Sequence, residues 1–209
     1  MKQIFFIVAI LFLAVFLGFS QQKPANNMKK ALVLIDIQND YFEHGTMTLF
    51  GAEEASLNAR KILDKFRSEG LPVIYIQHLA SSPKATFFLP QTKGAEIHEN
   101  VKPKSNEKVI VKHFPNSFRE TELLEYLKSN NITDLVICGM MTHMCVDATV
   151  RAAKDFGFNG FVISDACATR DLDINGEKVK AAEVQKSFLA AFNGFYASVK
   201  TTKEYLEEN

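Results

Sequence analysis

Ala31-Leu-Val-Leu-Ile-Asp36 is an unbroken apolar run closed by a carboxylate. Helices cover both sides of a parallel sheet, so an inner strand has no face toward water and its residues need not alternate. The charge of Asp36 is costly to desolvate in such a core, and the strand ends there. Further along, residues 53–69 set Leu57, Ile62, Leu63 and Phe66 near one helical stripe that Gly70 stops, and Pro72-Val-Ile-Tyr-Ile-Gln77 is a second strand. The alternation repeats as strand 108–111, helix 120–128, strand 134–138, helix 144–156 and strand 161–164. This pattern predicts a parallel, helix-covered sheet of the α/β class. Residues 178–195 carry Val179, Ala182, Val184, Phe188, Leu189 and Phe192 as a broad amphipathic face, and 197–200 offers an edge strand. Residues 79–107 show no period. Long irregular connections in compact domains commonly build lids, binding loops or oligomer contacts, so this one is expected to shape a pocket.

With 209 residues and 47% hydrophobic content, the chain supports one full core. Basic and acidic residues balance at 24 each, which leaves no electrostatic footprint for a nucleic acid or an anionic surface. Cys138, Cys145 and Cys167 lack Cys-x-x-Cys spacing, which excludes a multi-disulfide scaffold and a thiolate zinc site. At the N-terminus, Lys2 precedes an apolar run over 4–19 that closes in Gly18-Phe19-Ser20, with small residues at −3 and −1 of a cut before Gln21. Residues 1–20 therefore read as a signal peptide, 21–30 as a polar linker and 31–209 as the folded domain, which implies a secreted or periplasmic protein. The apolar run is shorter than the ~20 residues of a spanning helix. An uncleaved anchor is the alternative, and the only route by which a membrane becomes a partner.

Open parallel sheets bind ligands beyond the carboxyl ends of their strands, where Asp36, Lys112 and the segment after Cys138 fall. Cys145 closes Gly139-Met-Met-Thr-His-Met-Cys145, where a strand gives way to a helix. Backbone N–H groups and the positive end of the helix dipole favour a thiolate there and can receive an oxyanion. Asp36 can accept the thiol proton, and Lys112 biases the pair toward carboxylate and thiolate. Cys138 and Cys167 lack that helix-start setting and are read as inert core thiols.

Three segments together resemble the isochorismatase-like cysteine hydrolases, a superfamily that includes nicotinamidases: Asp36-Ile-Gln-Asn-Asp-Tyr-Phe42, Lys112 followed by Asn116-Ser-Phe118, and Gly139-Met-Met-Thr-His-Met-Cys-Val-Asp-Ala-Thr149. Ser164-Asp-Ala-Cys-Ala-Thr169 matches as well. The resemblance implies a three-layer α/β/α sandwich with a mainly parallel six-stranded sheet, and a catalytic triad of Asp36, Lys112 and Cys145. It further implies a cis peptide between Met140 and Met141 that aims the N–H groups of Met141 and Cys145 at the oxyanion. The implied reaction is hydrolysis of a small amide, carbamoyl or ureido compound through a thioester, with no cofactor and in a homo-oligomer. Nicotinamidases hold a metal through an Asp-x-His pair after the second strand, where this chain has Tyr75-Ile-Gln-His78. That departure points to a metal-free branch. Isochorismatases proper lack the cysteine, so Cys145 weighs against their vinyl ether chemistry.

Other residues carry two readings. His143 contacts substrate or serves as a structural hydrogen-bonder, and Phe42 and Phe118 line the pocket or fill the core. Gln38 holds the loop after the first strand through backbone hydrogen bonds, with substrate contact the lesser role. His44, His78, His98 and His113 show no ligand spacing. A non-catalytic binding module on the same fold, and a redox role for Cys145, are the rival functions.

Overall fold

The run that begins at Ala31 sends Leu32 and Leu34 into one core, and Ala31, Val33 and Ile35 into another. A strand that is apolar on both sides needs a layer of helices on each, and this is the arrangement found. The computed structural model describes residues 29–208. The strands are β1 (Lys29–Ile35), β2 (Val73–His78), β3 (Lys108–Lys112), β4 (Ile132–Met140), β5 (Asn159–Ala168), β6 (Leu172–Ile174), β7 (Glu177–Val179) and β8 (Ser198–Lys200). The helices are α1 (Ala52–Ser68), α2 (Leu123–Ser129), α3 (Asp147–Asp155), α4 (Ala181–Phe192) and α5 (Thr202–Glu208). A six-stranded sheet runs in the order β3-β2-β1-β4-β5-β8, and every pairing in it is parallel. Helices α1 and α5 cover one face, while α2, α3 and α4 cover the other. This is the expected three-layer sandwich.

The differences from the sequence reading are local and have physical causes. The expected signal peptide and residues 21–28 of the linker lie outside the described residues, while Lys29 and Lys30 already belong to β1. The helix expected over 144–156 starts earlier, as a π-helical turn over Thr142–Val146 that runs into α3. Strand β5 continues past Ser164 because its register shifts after Val162, so that Cys167 rejoins β4 opposite Gly139. The amphipathic stretch from 178 begins inside a hairpin, β6 against β7, that turns at Asn175 and Gly176, both with positive φ. Asn-Gly favours such two-residue turns, and Val179 belongs to that hairpin instead of the helix.

Two close fits fix the sheet beneath the strand ends. Gly139 has φ +144, and a Cβ there would lie 2.2 Å from the carbonyl oxygen of Ile35. Only glycine lets β4 approach β1 this closely, one residue before Asp36. On the other side of β1, Arg67 of α1 donates to both oxygens of Glu107 at 2.7 and 2.8 Å, and the Tyr75 hydroxyl donates to Glu107 at 3.0 Å. Burial would raise the Glu107 carboxyl, but Arg67, the Lys104 N–H and Tyr75 outweigh it and hold it at about 2. The cluster ties the end of the long loop to α1 and β2.

A depressed carboxyl stabilises the fold above its unfolded value and loses that contribution as the pH falls through its folded value. Glu107→Gln should therefore unfold at lower urea than the parent at neutral pH. The gap should close between about pH 4.3 and about 2. A gap that stays constant across that range would show that Glu107 contributes through packing alone.

Candidate active site

The strand order places four residues side by side at the carboxyl edge of the sheet. Lys112 ends β3, His78 ends β2, Asp36 follows β1, and Cys145 lies in the turn after β4. Strand β3 is an edge strand, with Val109 and Val111 exposed, but the alternation turns Ile110 and Lys112 inward. Asp36 adopts a left-handed conformation, φ +50, and its N–H donates to Ile76 at 3.0 Å. Aspartate tolerates that region better than most residues, and the bend carries its side chain over the sheet end.

Asp36 and Lys112 are both 0% exposed and form an ion pair at 2.8 Å. No hydrogen-bond donor is well aligned on either Asp36 oxygen among the described residues, so the carboxylate keeps lone pairs free to take a proton. Cys145 is 3% exposed, and donor atoms of Asp36, His78 and Cys145 all lie within 4.8 Å of one another. The sequence-predicted triad thus converges, although its members come from three separate stretches of chain.

The protonation state differs from the sequence expectation of a thiolate-biased cysteine. Burial, and then the charge of Asp36, push the Cys145 thiol up, and the opposing pull of Lys112 is smaller. Burial alone would lower the Lys112 ammonium, but Asp36 and Cys145 raise it. The cysteine is therefore biased toward the thiol, beside a Lys112 held as the ammonium. A helix start was legible in the sequence; the depth of burial that overrides it was not.

The peptide between Met140 and Met141 is cis. No acceptor meets the Met141 N–H among the described residues, while the Met141 carbonyl accepts from Met144 and Val146 in the turn that carries Cys145. A backbone donor is thus left free beside the sulfur.

The other expected pocket residues have other partners. Gln38 is fully buried, donating to the carbonyls of His78 and Ala95 at 2.9 and 2.8 Å and accepting from the His78 N–H at 2.7 Å. Its amide is consumed in holding the loop, as its first reading had it. Phe118 packs on Phe156 and Phe158 in the core. His143 turns to the Thr169 hydroxyl, with its Nδ1 2.5 Å away. Phe42 stacks on His98 and helps line a cavity of about 700 Å³ with Asn39, Asp40 and Lys93.

Three residues not singled out in the sequence also belong to the site. His78 joins the charged cluster, and Phe88 and Tyr41 form an aromatic wall beside it. Phe88 lies 4.7 Å from the Tyr41 ring and 5.8 Å from the His78 ring. Tyr41 is close enough to Cys145 and Asp36 for their charges, after burial, to raise its hydroxyl. The Phe88 N–H donates to Asp40 at 2.6 Å, which pins the long loop against the segment after β1. As expected, residues 79–107 shape this region.

The donor set at the cluster does not suit a divalent ion. The Lys112 ammonium already sits 2.8 Å from Asp36 and 3.0 Å from His78, and it interacts with Cys145. A metal there would have to displace the protein's own cation.

A fully parallel α/β sandwich with this cluster at its carboxyl edge matches the architecture of the isochorismatase-like hydrolases. The chain belongs to the isochorismatase family: residues 30–194 match the Isochorismatase domain. It is 51% identical over 180 residues to an uncharacterized isochorismatase family protein of Bacillus subtilis, covering 86% of this chain and all of that one. A putative isochorismatase hydrolase from Oleispira antarctica superposes with a TM-score of 0.83 at 44% identity, over 87% of this chain and 97% of that one. N-carbamoylsarcosine amidase from Thermoplasma acidophilum superposes with a TM-score of 0.70 at 28% identity, over 84% and 97%.

Lys112→Met should destabilise the fold by roughly 3–5 kcal/mol, because it strands a buried carboxylate. Adding Asp36→Asn should recover much of that loss. Urea unfolding of the two single variants and the double variant measures the coupling, and strictly additive effects would show that the two charges do not support each other.

Proposed function

We propose that this protein hydrolyses a C–N bond in a small amide, carbamoyl or ureido compound, with Cys145 as nucleophile. The observation that carries the reading is the convergence of Asp36, Lys112 and Cys145 at the carboxyl end of a parallel sheet. The likeness to N-carbamoylsarcosine amidase supports the bond type.

In this mechanism the thiol proton passes to Asp36 as the sulfur attacks the carbonyl carbon, and a C–S bond forms. Negative charge that develops on the carbonyl oxygen is received by the N–H groups of Met141 and Cys145. Asp36 then protonates the leaving nitrogen, the C–N bond breaks, and ammonia or an amine departs from a thioester. Water attacks the thioester and gives its proton to Asp36. The C–S bond breaks, and the sulfur takes that proton back. Lys112 stays charged throughout and offsets the negative charge shared by Asp36 and Cys145. Because the resting thiol is protonated, transfer to Asp36 accompanies attack instead of preceding it. The cover formed by Tyr41, Phe88 and His78 has to admit the substrate, which favours small, flat carbonyl compounds.

The reading extends to a leader over residues 1–20 that exports the domain to a secreted or periplasmic location, and to a homo-oligomer. Lys2 ahead of an apolar run and a small-residue cut before Gln21 support export.

Incubation with a panel of small amides, carbamoyl and ureido compounds should release ammonia from at least one. Cys145→Ala should lower that rate by roughly a thousandfold or more. Mass spectrometry of the quenched reaction should find an acyl group on Cys145. Equal ammonia release from parent and variant would dismiss the thiol mechanism, and tight ligand binding without turnover would favour a binding module.

A further inference from the structure

The triad leaves one neighbour unexplained. Strand β2 lies between β3 and β1, so Lys112 must reach across it to meet Asp36. Neighbouring strands are spaced by about 4.8 Å, so the lysine stem and the Asp36 side chain together bridge two of those gaps. A flexible four-carbon stem on that path needs an anchor along the way. His78 is the direct cross-strand partner of Lys112, and its Nδ1 lies 3.0 Å from the Lys112 Nζ. The ammonium also donates to the Phe114 carbonyl at 3.1 Å. The ammonium thus faces three groups: His78 Nδ1 and the Phe114 carbonyl as hydrogen-bond acceptors, and the Asp36 carboxylate as its ion-pair partner.

An ammonium can only donate, so His78 Nδ1 accepts and the ring proton resides on Nε2. The ring is therefore neutral. Burial favours that state, and among the charged and titratable groups facing the ring, Lys112 and His113 oppose a second positive charge while Asp36 favours it. Cys145 completes the cluster. Gln38 bonds to both the N–H and the carbonyl of His78, so the backbone beneath the ring is fixed to the segment that follows Asp36.

We infer that His78 is a positioning residue of this site: its Nδ1 holds the Lys112 ammonium over β2, so that one cation faces both Asp36 and Cys145. At the end of β2 this chain places a neutral acceptor for its own cation. The inference rests on the thiol mechanism proposed for Asp36, Lys112 and Cys145.

The test compares the parent with His78→Leu and His78→Asn, since the asparagine Oδ1 falls near the position of Nδ1 and restores an acceptor. Two readouts are taken: kcat and KM for ammonia release, and the rate of Cys145 alkylation by iodoacetamide at fixed pH, followed by mass spectrometry. With leucine, kcat should fall about tenfold while KM changes less, and the alkylation rate should fall about tenfold as the thiolate loses a well-placed cation. Asparagine should recover most of both effects. A leucine variant that matches the parent, or leucine and asparagine variants that fall alike, would overturn the inference. Absence of ammonia release from the parent on every compound would instead refute the hydrolase reading, and the alkylation rate would still decide the role of His78.

Discussion

The arrangement depends on a full positive charge buried at the edge of a parallel sheet. Lys112 has no exposed surface, and an isolated ammonium in such a place would lose its proton. It keeps the proton because Asp36 and Cys145 face it, and Asp36 meets it at 2.8 Å. Removing either partner would strand the other in the core, so the pair ties the end of β3 to the residue after β1 across β2. The strand order, the inward turn of an edge-strand lysine and the left-handed bend at Asp36 all serve that meeting.

Cys145 enters this pre-existing pair as a third, neutral member. The burial that surrounds the pair also favours the protonated form of the Cys145 sulfur. A sulfur held as the thiol is shielded from oxidation, which proceeds through the thiolate. The free N–H of Met141 lies in the same turn, where strand β4 passes into a π-helical turn.

Much of this was legible in the residues. The apolar run ending in Asp36 gave the central strand and its carboxylate, and the strand-to-helix passage at Cys145 gave the candidate nucleophile. Alternating segments gave the sheet, and the resemblance added its six strands and Lys112. What stayed hidden has a common cause: it depends on distances between residues far apart in the chain. His78 and Lys112 are 34 positions apart, and nothing in their spacing announces a contact. The thiol's upward shift follows from burial and the charge of Asp36, which no local pattern encodes. The hairpin at Asn175 and Gly176 is the exception, because its turn signal was present just ahead of an amphipathic stretch that took in its last residues.

The tether between the Phe88 N–H and Asp40 separates two properties that loops often confuse. The course of the long connection is fixed here by a main-chain donor, whereas the rings of Phe87 and Phe88 that it presents pack on Tyr41. A change of ring size at position 88 therefore alters the wall beside the charged cluster while the anchoring bond survives. Anchor and wall can vary independently in such a scaffold, because one belongs to the backbone and the other to the side chain.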